Sequence, residues 1–239
     1  MSFFRNFILK FKYNKEIVRS KFITNGSDKF SKIILKKIKK GFYLDCGCYH
    51  PFKYSLTKAL YDSGWKGICL DISKDTIDLF KMYRPRDISL NVGLFTKTGK
   101  QTAYFEKEIS QVTSLDKNFL KELGRKIKFK KTINTITLKD LRKEYGIKKI
   151  DFLKIDCENI DEKIIVNSSY LELDAEYLSI EYLPKLKKDI SKLTNSDFLK
   201  ILKKSKVYKK LIKKYNLIDN YEYTFLFQKN FRMIKVKKI

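Results

Sequence analysis

Short apolar runs that end in an acid or an amide recur along this chain, with helix-period segments between them. Phe42-Tyr43-Leu44-Asp45-Cys46-Gly47 follows Gly41, and Gly67-Ile68-Cys69-Leu70-Asp71 follows Gly64. Ile88-Ser89-Leu90-Asn91-Val92 comes after Pro85, and Ile150 to Asp156 and Glu176 to Glu181 repeat the pattern later. A strand covered on both faces reads as a continuous apolar run, so these are buried strands. Between them, Tyr54–Ser63 and Lys74–Tyr83 read as helices, the second with Ile77, Leu79, Phe80 and Tyr83 on its inward side. Alternation of this kind predicts an α/β, Rossmann-like architecture: a mostly parallel, twisted sheet with right-handed crossovers and helices on both faces.

The remaining segments fit around that sheet. Gln101–Phe105 and Thr132–Leu138 alternate like exposed or edge strands, a helix is expected near Lys139–Tyr145, and another begins at Glu162–Val166. The lysine-rich stretch 185–214 reads as helical, and Tyr215–Ile218 with Tyr223–Phe227 reads as a C-terminal antiparallel hairpin. Residues 1–40 read as a basic helical N-terminal extension, and 41–239 as a single domain.

Charge is the strongest compositional signal. The net charge of +26 suggests nucleic acid, but of the 53 basic residues only seven are Arg. Base and phosphate readers favour the planar guanidinium, so no specific nucleic-acid partner is expected. The accompanying wealth of Ile, Tyr and Phe is what an AT-rich genome encodes. The excess is concentrated in residues 1–40 and 185–214, where it reads as solvated helix faces or as attraction to an anionic substrate or a membrane surface. Cys46, Cys48, Cys69 and Cys157 form no C-x-x-C pair and read as free thiols of a reducing compartment. No run approaches the roughly 18 apolar residues of a membrane span, and the first residues do not read as a secretory leader, so a cytoplasmic protein is expected.

In an open parallel sheet, ligands bind beyond the carboxyl ends of the strands. There the sequence places Asp45, Asp71, Asn91, Asp156 and Glu181. The first turn, Asp45-Cys46-Gly47-Cys48-Tyr49-His50-Pro51, lacks the G-x-G-x-x-G of dinucleotide folds, and the chain has no G-x-x-x-x-G-K-[ST]. An acid two residues before a single glycine suits a cationic ligand without a pyrophosphate. Asp71, about 24 residues after Gly47, is placed to hold ribose hydroxyls. Positive charge together with a ribose describes S-adenosylmethionine.

At these residues the chain resembles the FkbM-type methyltransferases. The likeness runs through Gly41–Ser55, Gly64–Asp71, Arg84–Gly93 and Ile150–Glu158, spanning roughly 41–183. Its marks are the Asp-x-Gly strand end, His50-Pro51, Gly64-Trp65-Lys66-Gly67, Arg84-Pro85-Arg86-Asp87 and Asp156-Cys157-Glu158. One position departs: the family usually has glycine where this chain has Asn159. The resemblance implies a class I methyltransferase fold. It puts Asp45 and Gly47 at the methionine end of the cofactor and Asp71 at its ribose. Ser55, Asn91 and the Gln111-Val112-Thr113-Ser114 stretch, Thr113 in particular, fall near the cofactor.

An acceptor hydroxyl needs a base. The lone histidine, His50, is expected above the reacting methyl as that base, with a structural role as its alternative. Asp156 and Glu158 are the other candidates, as base, as substrate hydrogen-bond partners or as ligands of a divalent cation, and Glu181 is a substrate-side candidate. The expected activity is O-methylation of a carbohydrate, such as a nucleotide-sugar or a surface-glycan precursor. The rival readings are an RNA ribose methyltransferase and a non-catalytic binding or assembly protein that keeps the fold. The basic flanks also leave room for peripheral membrane contact.

Overall fold

The computed structural model describes residues 7–13, 26–183 and 192–230. The chain opens with α1 (7–13), a 3₁₀ turn (Gly26–Asp28) and α2 (Lys29–Lys37). Then follow β1 (Phe42–Cys46), α3 (Lys58–Asp62), β2 (Lys66–Leu70), α4 (Lys74–Tyr83), β3 (Ile88–Leu90) and β4 (Gly93–Leu94). The middle holds β5 (Gly99–Phe105), α5 (Lys117–Glu122), β6 (Phe129–Ile136), α6 (Leu138–Glu144), β7 (Phe152–Ile155) and α7 (Asp161–Asn167). The chain continues through β8 (Tyr177–Glu181), α8 (Asn195–Lys204), α9 (Lys206–Leu211), β9 (Tyr215–Tyr221) and β10 (Thr224–Lys229).

The main sheet has the order β3-β2-β1-β7-β8-β10-β9. Its strands run parallel except β10, which pairs antiparallel with both β8 and β9. This is the Rossmann-like arrangement that the alternation predicts, closed by the expected hairpin. Successive side chains of each strand serve opposite faces. Tyr43, Cys69, Phe152 and Tyr177 pack with Phe30 and Ile34 of α2 and Leu60 of α3. Leu44, Ile68, Leu153 and Leu178 pack with the α6–α9 side, through Leu141, Ile164, Leu202 and Leu211. α2 is thus part of the core, although it lies within the first 40 residues.

Local chemistry sets the helix ends. Ser73 caps α4 by accepting from the Thr76 amide at 3.2 Å, and Pro85 follows its last turn. Thr194 and Asp197 make a reciprocal capping box on α8. Ser205 then breaks the lysine-rich segment and caps α9, so residues 195–211 form two helices; residues 184–191 lie outside the described part, as do 1–6 and 14–25 of the extension. α3 is shorter than the Tyr54–Ser63 pattern suggests, because Tyr54 takes a positive φ of 54° that no helix contains. The two expected edge strands are β5 and β6, which leave the main sheet and pair with each other and β4 in a second, three-stranded sheet.

Beneath the strand ends lies a buried ion pair from the Arg-Pro-Arg-Asp segment. Arg84 Nε donates to Asp87 Oδ2 at 2.9 Å, with 1% and 0% of the two side chains exposed. Asp87 also accepts from the Tyr43 hydroxyl at 2.6 Å and the Gly67 amide at 3.0 Å, which ties the carboxylate to β1 and β2. Removing one partner strands the other charge in the interior. Arg84→Met is therefore expected to lower unfolding free energy by about 3–5 kcal/mol in urea titration. A loss below about 1 kcal/mol, the range of an exposed pair, would contradict the structural role.

Candidate functional site

A cavity of about 380 Å³ opens beyond the carboxyl ends of β2, β1, β7 and β8. Asp45, Gly47, Ser55, Asp71, Thr113, Asp156, Glu158 and Glu181 all line it. The sequence-derived positions thus converge, with two exceptions described below.

Register builds the centre of the site. β1 and β7 pair so that Asp45 lies opposite Lys154, both on the face that carries Tyr43 and Phe152. The buried Lys154 ammonium sits 3.3 Å from Asp45 Oδ1 and 3.1 Å from Asp156 Oδ2, and donates to the Gly47 carbonyl at 2.7 Å. Burial alone would lower the Lys154 pKa, but Asp156 and Asp45 hold it well above the usual lysine range. Asp156 responds in kind: burial would raise it, and Lys154 holds it below the ordinary carboxylate value. Asp45 Oδ2 accepts from Thr57 Oγ1 at 2.6 Å, and Thr57 in turn accepts from Arg84 Nη2 at 3.0 Å. The ion pair beneath the sheet therefore orients the first acid of the site.

Gly47 is required by a close approach. It has φ +77°, and a Cβ there would lie 1.7 Å from the Asp156 carbonyl oxygen. Other backbone around the cavity is also held in uncommon conformations. Tyr49, Tyr54, Glu158 and Glu222 line the cavity with positive φ, and Asn159 beside them has φ +72°. Asn159 thus adopts the left-handed conformation that suits the glycine expected from the resemblance, and its Nδ2 donates to Asp116 Oδ2 at 2.8 Å.

Asp71 closes the β2 end. Its oxygens accept from the Tyr49 amide at 2.9 Å and the Ser73 amide at 2.8 Å. Burial outweighs these bonds and pushes its pKa up to about 6. Each oxygen keeps a lone pair for a further donor. Ser55 Oγ accepts from Arg84 Nη1 at 3.2 Å, and the buried Thr113 Oγ1, at the cavity wall, has no hydrogen-bond partner among the described residues.

At the other end Asp156, Glu158 and Glu181 each offer an oxygen, all within 4.8 Å of one another. Burial, then repulsion from Asp156, holds Glu158 and Glu181 well above the usual glutamate range. Such a group can share protons, or give an oxygen-rich seat to a divalent cation.

Two expected residues are elsewhere. His50 does not line the cavity: it is buried, and its Nδ1 accepts from the Phe52 and Lys53 amides at 3.2 and 3.1 Å, closing the turn after β1. Its position above a reacting methyl is therefore corrected. Asn91 is exposed and also off the cavity wall, because its Nδ2 is used to bind the Asp71 carbonyl at 3.0 Å. Two further parts of the wall carry little or no mark in the sequence: Lys154, a charge inside an apolar strand, and Tyr221-Glu222-Tyr223, the β9–β10 turn whose Tyr223 adjoins the acidic end.

Burial, then the Lys53 charge, lowers the His50 pKa from 6.5 to about 4. The group thus contributes stability above pH 6.5 that is lost as pH falls through about 4. As the only histidine in the chain, it gives an unambiguous proton resonance. Its NMR titration midpoint is expected near 4, and a midpoint near 6.5 would contradict the buried placement.

Two solved structures cover most of the chain at low identity. A TehB-like SAM-dependent methyltransferase from Corynebacterium glutamicum is 12% identical, with 95% of this chain and 98% of that one covered at a TM-score of 0.44. A type 11 methyltransferase from Sulfolobus solfataricus is 13% identical, covering 85% and 92% at a TM-score of 0.39. Scores this low carry no argument by themselves, and no curated protein matches the chain. The model of the methyltransferase FkbM domain matches residues 45–201, well over half of the sequence. This span contains all the cavity residues from Asp45 to Glu181, and the chain belongs to the FkbM methyltransferase family, as an S-adenosylmethionine-dependent methyltransferase.

Proposed function

We propose that the chain transfers a methyl group from S-adenosylmethionine to a hydroxyl of a carbohydrate, with a nucleotide-sugar or surface-glycan precursor as acceptor. The observation that carries this reading is the acidic end of the cavity. Asp156, Glu158 and Glu181 lie there together with Tyr223, and Tyr221 also lines the cavity. Carboxylates accept from the several hydroxyls of a sugar, and aromatic faces cover its C–H surface.

In this reading Asp71 binds the ribose hydroxyls, Asp45 and Gly47 flank the methionine end, and Ser55 and Thr113 supply polar contacts to the cofactor. S-adenosylmethionine contributes a methyl on a cationic sulfur. The acceptor is oriented at the β8 end, three inter-strand steps or about 14 Å from the strand that carries Asp71. As the new carbon–oxygen bond forms and the carbon–sulfur bond breaks, a carboxylate of the acidic group takes the hydroxyl proton. The raised proton affinity of Glu158 and Glu181 makes whichever of them is ionised the stronger base for that step. A second reading, favoured by the convergence of three oxygens within 4.8 Å, seats a divalent cation on the same group.

One assay tests both. With labelled S-adenosylmethionine and a panel of nucleotide-sugars, glycans and RNA, label is expected in a sugar acceptor. Glu158→Gln and Glu181→Gln should each lower turnover by roughly 10²–10⁴-fold while cofactor affinity stays within a factor of about two. Activity abolished by a chelator and restored by Mg²⁺ would favour the cation. Label in RNA alone, or full turnover in both variants, would overturn the proposal.

A further inference from the structure

Among the described residues, α1 is anchored on one side and bare on the other. Leu9 and Tyr13, one helical turn apart, pack with Leu79 and Ile109, and the Tyr13 hydroxyl donates to Asp75 at 2.9 Å. Phe7, Ile8 and Phe11 are 63%, 46% and 84% exposed. At about 100° per residue, Phe11 lies opposite the Leu9–Tyr13 side, with Phe7 and Ile8 beside it. Lys10 and Lys12 fall about 100° to either side of Phe11. Singly exposed apolar residues are ordinary; two rings and an isoleucine forming one ridge between lysines are not.

Charge decides what such a ridge meets. Residues 1–40 carry twelve Lys and Arg against Glu16 and Asp28 alone. The acids close to the anchoring cluster are engaged: Asp75 by Tyr13 and Lys12, and Glu108 by Lys131 at 2.5 Å. Apolar rings at the crest with long basic side chains flanking them are the pattern of a helix lying in a lipid headgroup region. Tyr49 and Phe52 pack against the same cluster, and Tyr49 also lines the cavity, so the anchored side of α1 adjoins the cavity wall.

We propose that the Phe7–Ile8–Phe11 face of α1 docks on an anionic lipid bilayer. The inference is independent of the acceptor. A protein of net charge +26 is drawn to any anionic surface, so the decisive variant leaves charge untouched. The full chain is floated with vesicles of phosphatidylcholine alone and of phosphatidylcholine mixed with phosphatidylglycerol. Binding is expected to the mixed vesicles only. The double variant Phe7→Ser and Phe11→Ser should reduce the partition by roughly tenfold or more, and Phe11→Ser alone should fall between. Unchanged S-adenosylhomocysteine affinity in both variants shows that the fold is intact. Equal vesicle binding by the double variant, or no binding by the native chain, would overturn the proposal. So would a dimer of the native chain that Phe11→Ser dissociates, which would make the ridge a contact between copies.

Discussion

The site is organised around one buried ammonium. Lys154 stands in a strand covered on both faces, where an unpaired charge would cost several kcal/mol, on the order of that estimated for any ion taken from water. It is held there by Asp45 from β1, by Asp156 at the end of its own strand and by the Gly47 carbonyl. The dependence runs both ways. Without the ammonium, Asp45 and Asp156 would face each other across the strand ends with like charge, and burial would push Asp156 toward its neutral form. With it, Asp156 stays ionised beside two glutamates that hold their protons more tightly. The asymmetry of the acidic group thus has its source in β7.

From that centre a line of polar contacts reaches back into the fold. Asp45 is held by Thr57, Thr57 by Arg84, and Arg84 by Asp87, which grips the backbone of β2 and the Tyr43 hydroxyl of β1. The ends of β1 and β2 are fixed relative to each other by this chain as well as by their ladder. Pre-positioning of that kind is what a methyl transfer asks of its protein, because most of the barrier is lowered by alignment of the reacting atoms. The turn conformations with positive φ at Tyr49, Tyr54, Glu158 and Glu222 belong to the same picture: backbone held away from its preferred regions where side chains must enter the cavity.

Much of this was legible in the residues. Apolar runs closing on Asp45, Asp71 and Asp156 announce a parallel sheet and its ligand edge, because strand burial and crevice chemistry both leave marks at fixed positions along the chain. His50 and Asn91 misled for a shared reason. Each lies at the correct edge of the sheet, but sequence position does not say which way a side chain turns once a local backbone partner is on offer. His50 Nδ1 is taken by two amides of its own turn, and Asn91 by the Asp71 carbonyl. Tyr221 and Tyr223 were invisible as site residues because they arrive from a hairpin turn some 40 residues beyond Glu181, through the insertion of β10 next to β8. Lys154 was visible: a lysine between Leu153 and Ile155 in a doubly covered strand is a statement that something charged lies opposite.

The proposed hold of Asp71 on the ribose of S-adenosylmethionine is tested most directly by calorimetric titration with S-adenosylhomocysteine across pH. Burial raises the Asp71 pKa from 3.8 to about 6, so the stability tied to its proton is full below pH 3.8 and is lost as pH rises through about 6. Ribose hydroxyls donate to the ionised form, so binding should release a proton near pH 6 and weaken as pH falls below about 6. Asp71→Ala should cost on the order of 1.5–3 kcal/mol of affinity at neutral pH and abolish the pH dependence in that range. An affinity that ignores both pH and Asp71→Ala would contradict the account.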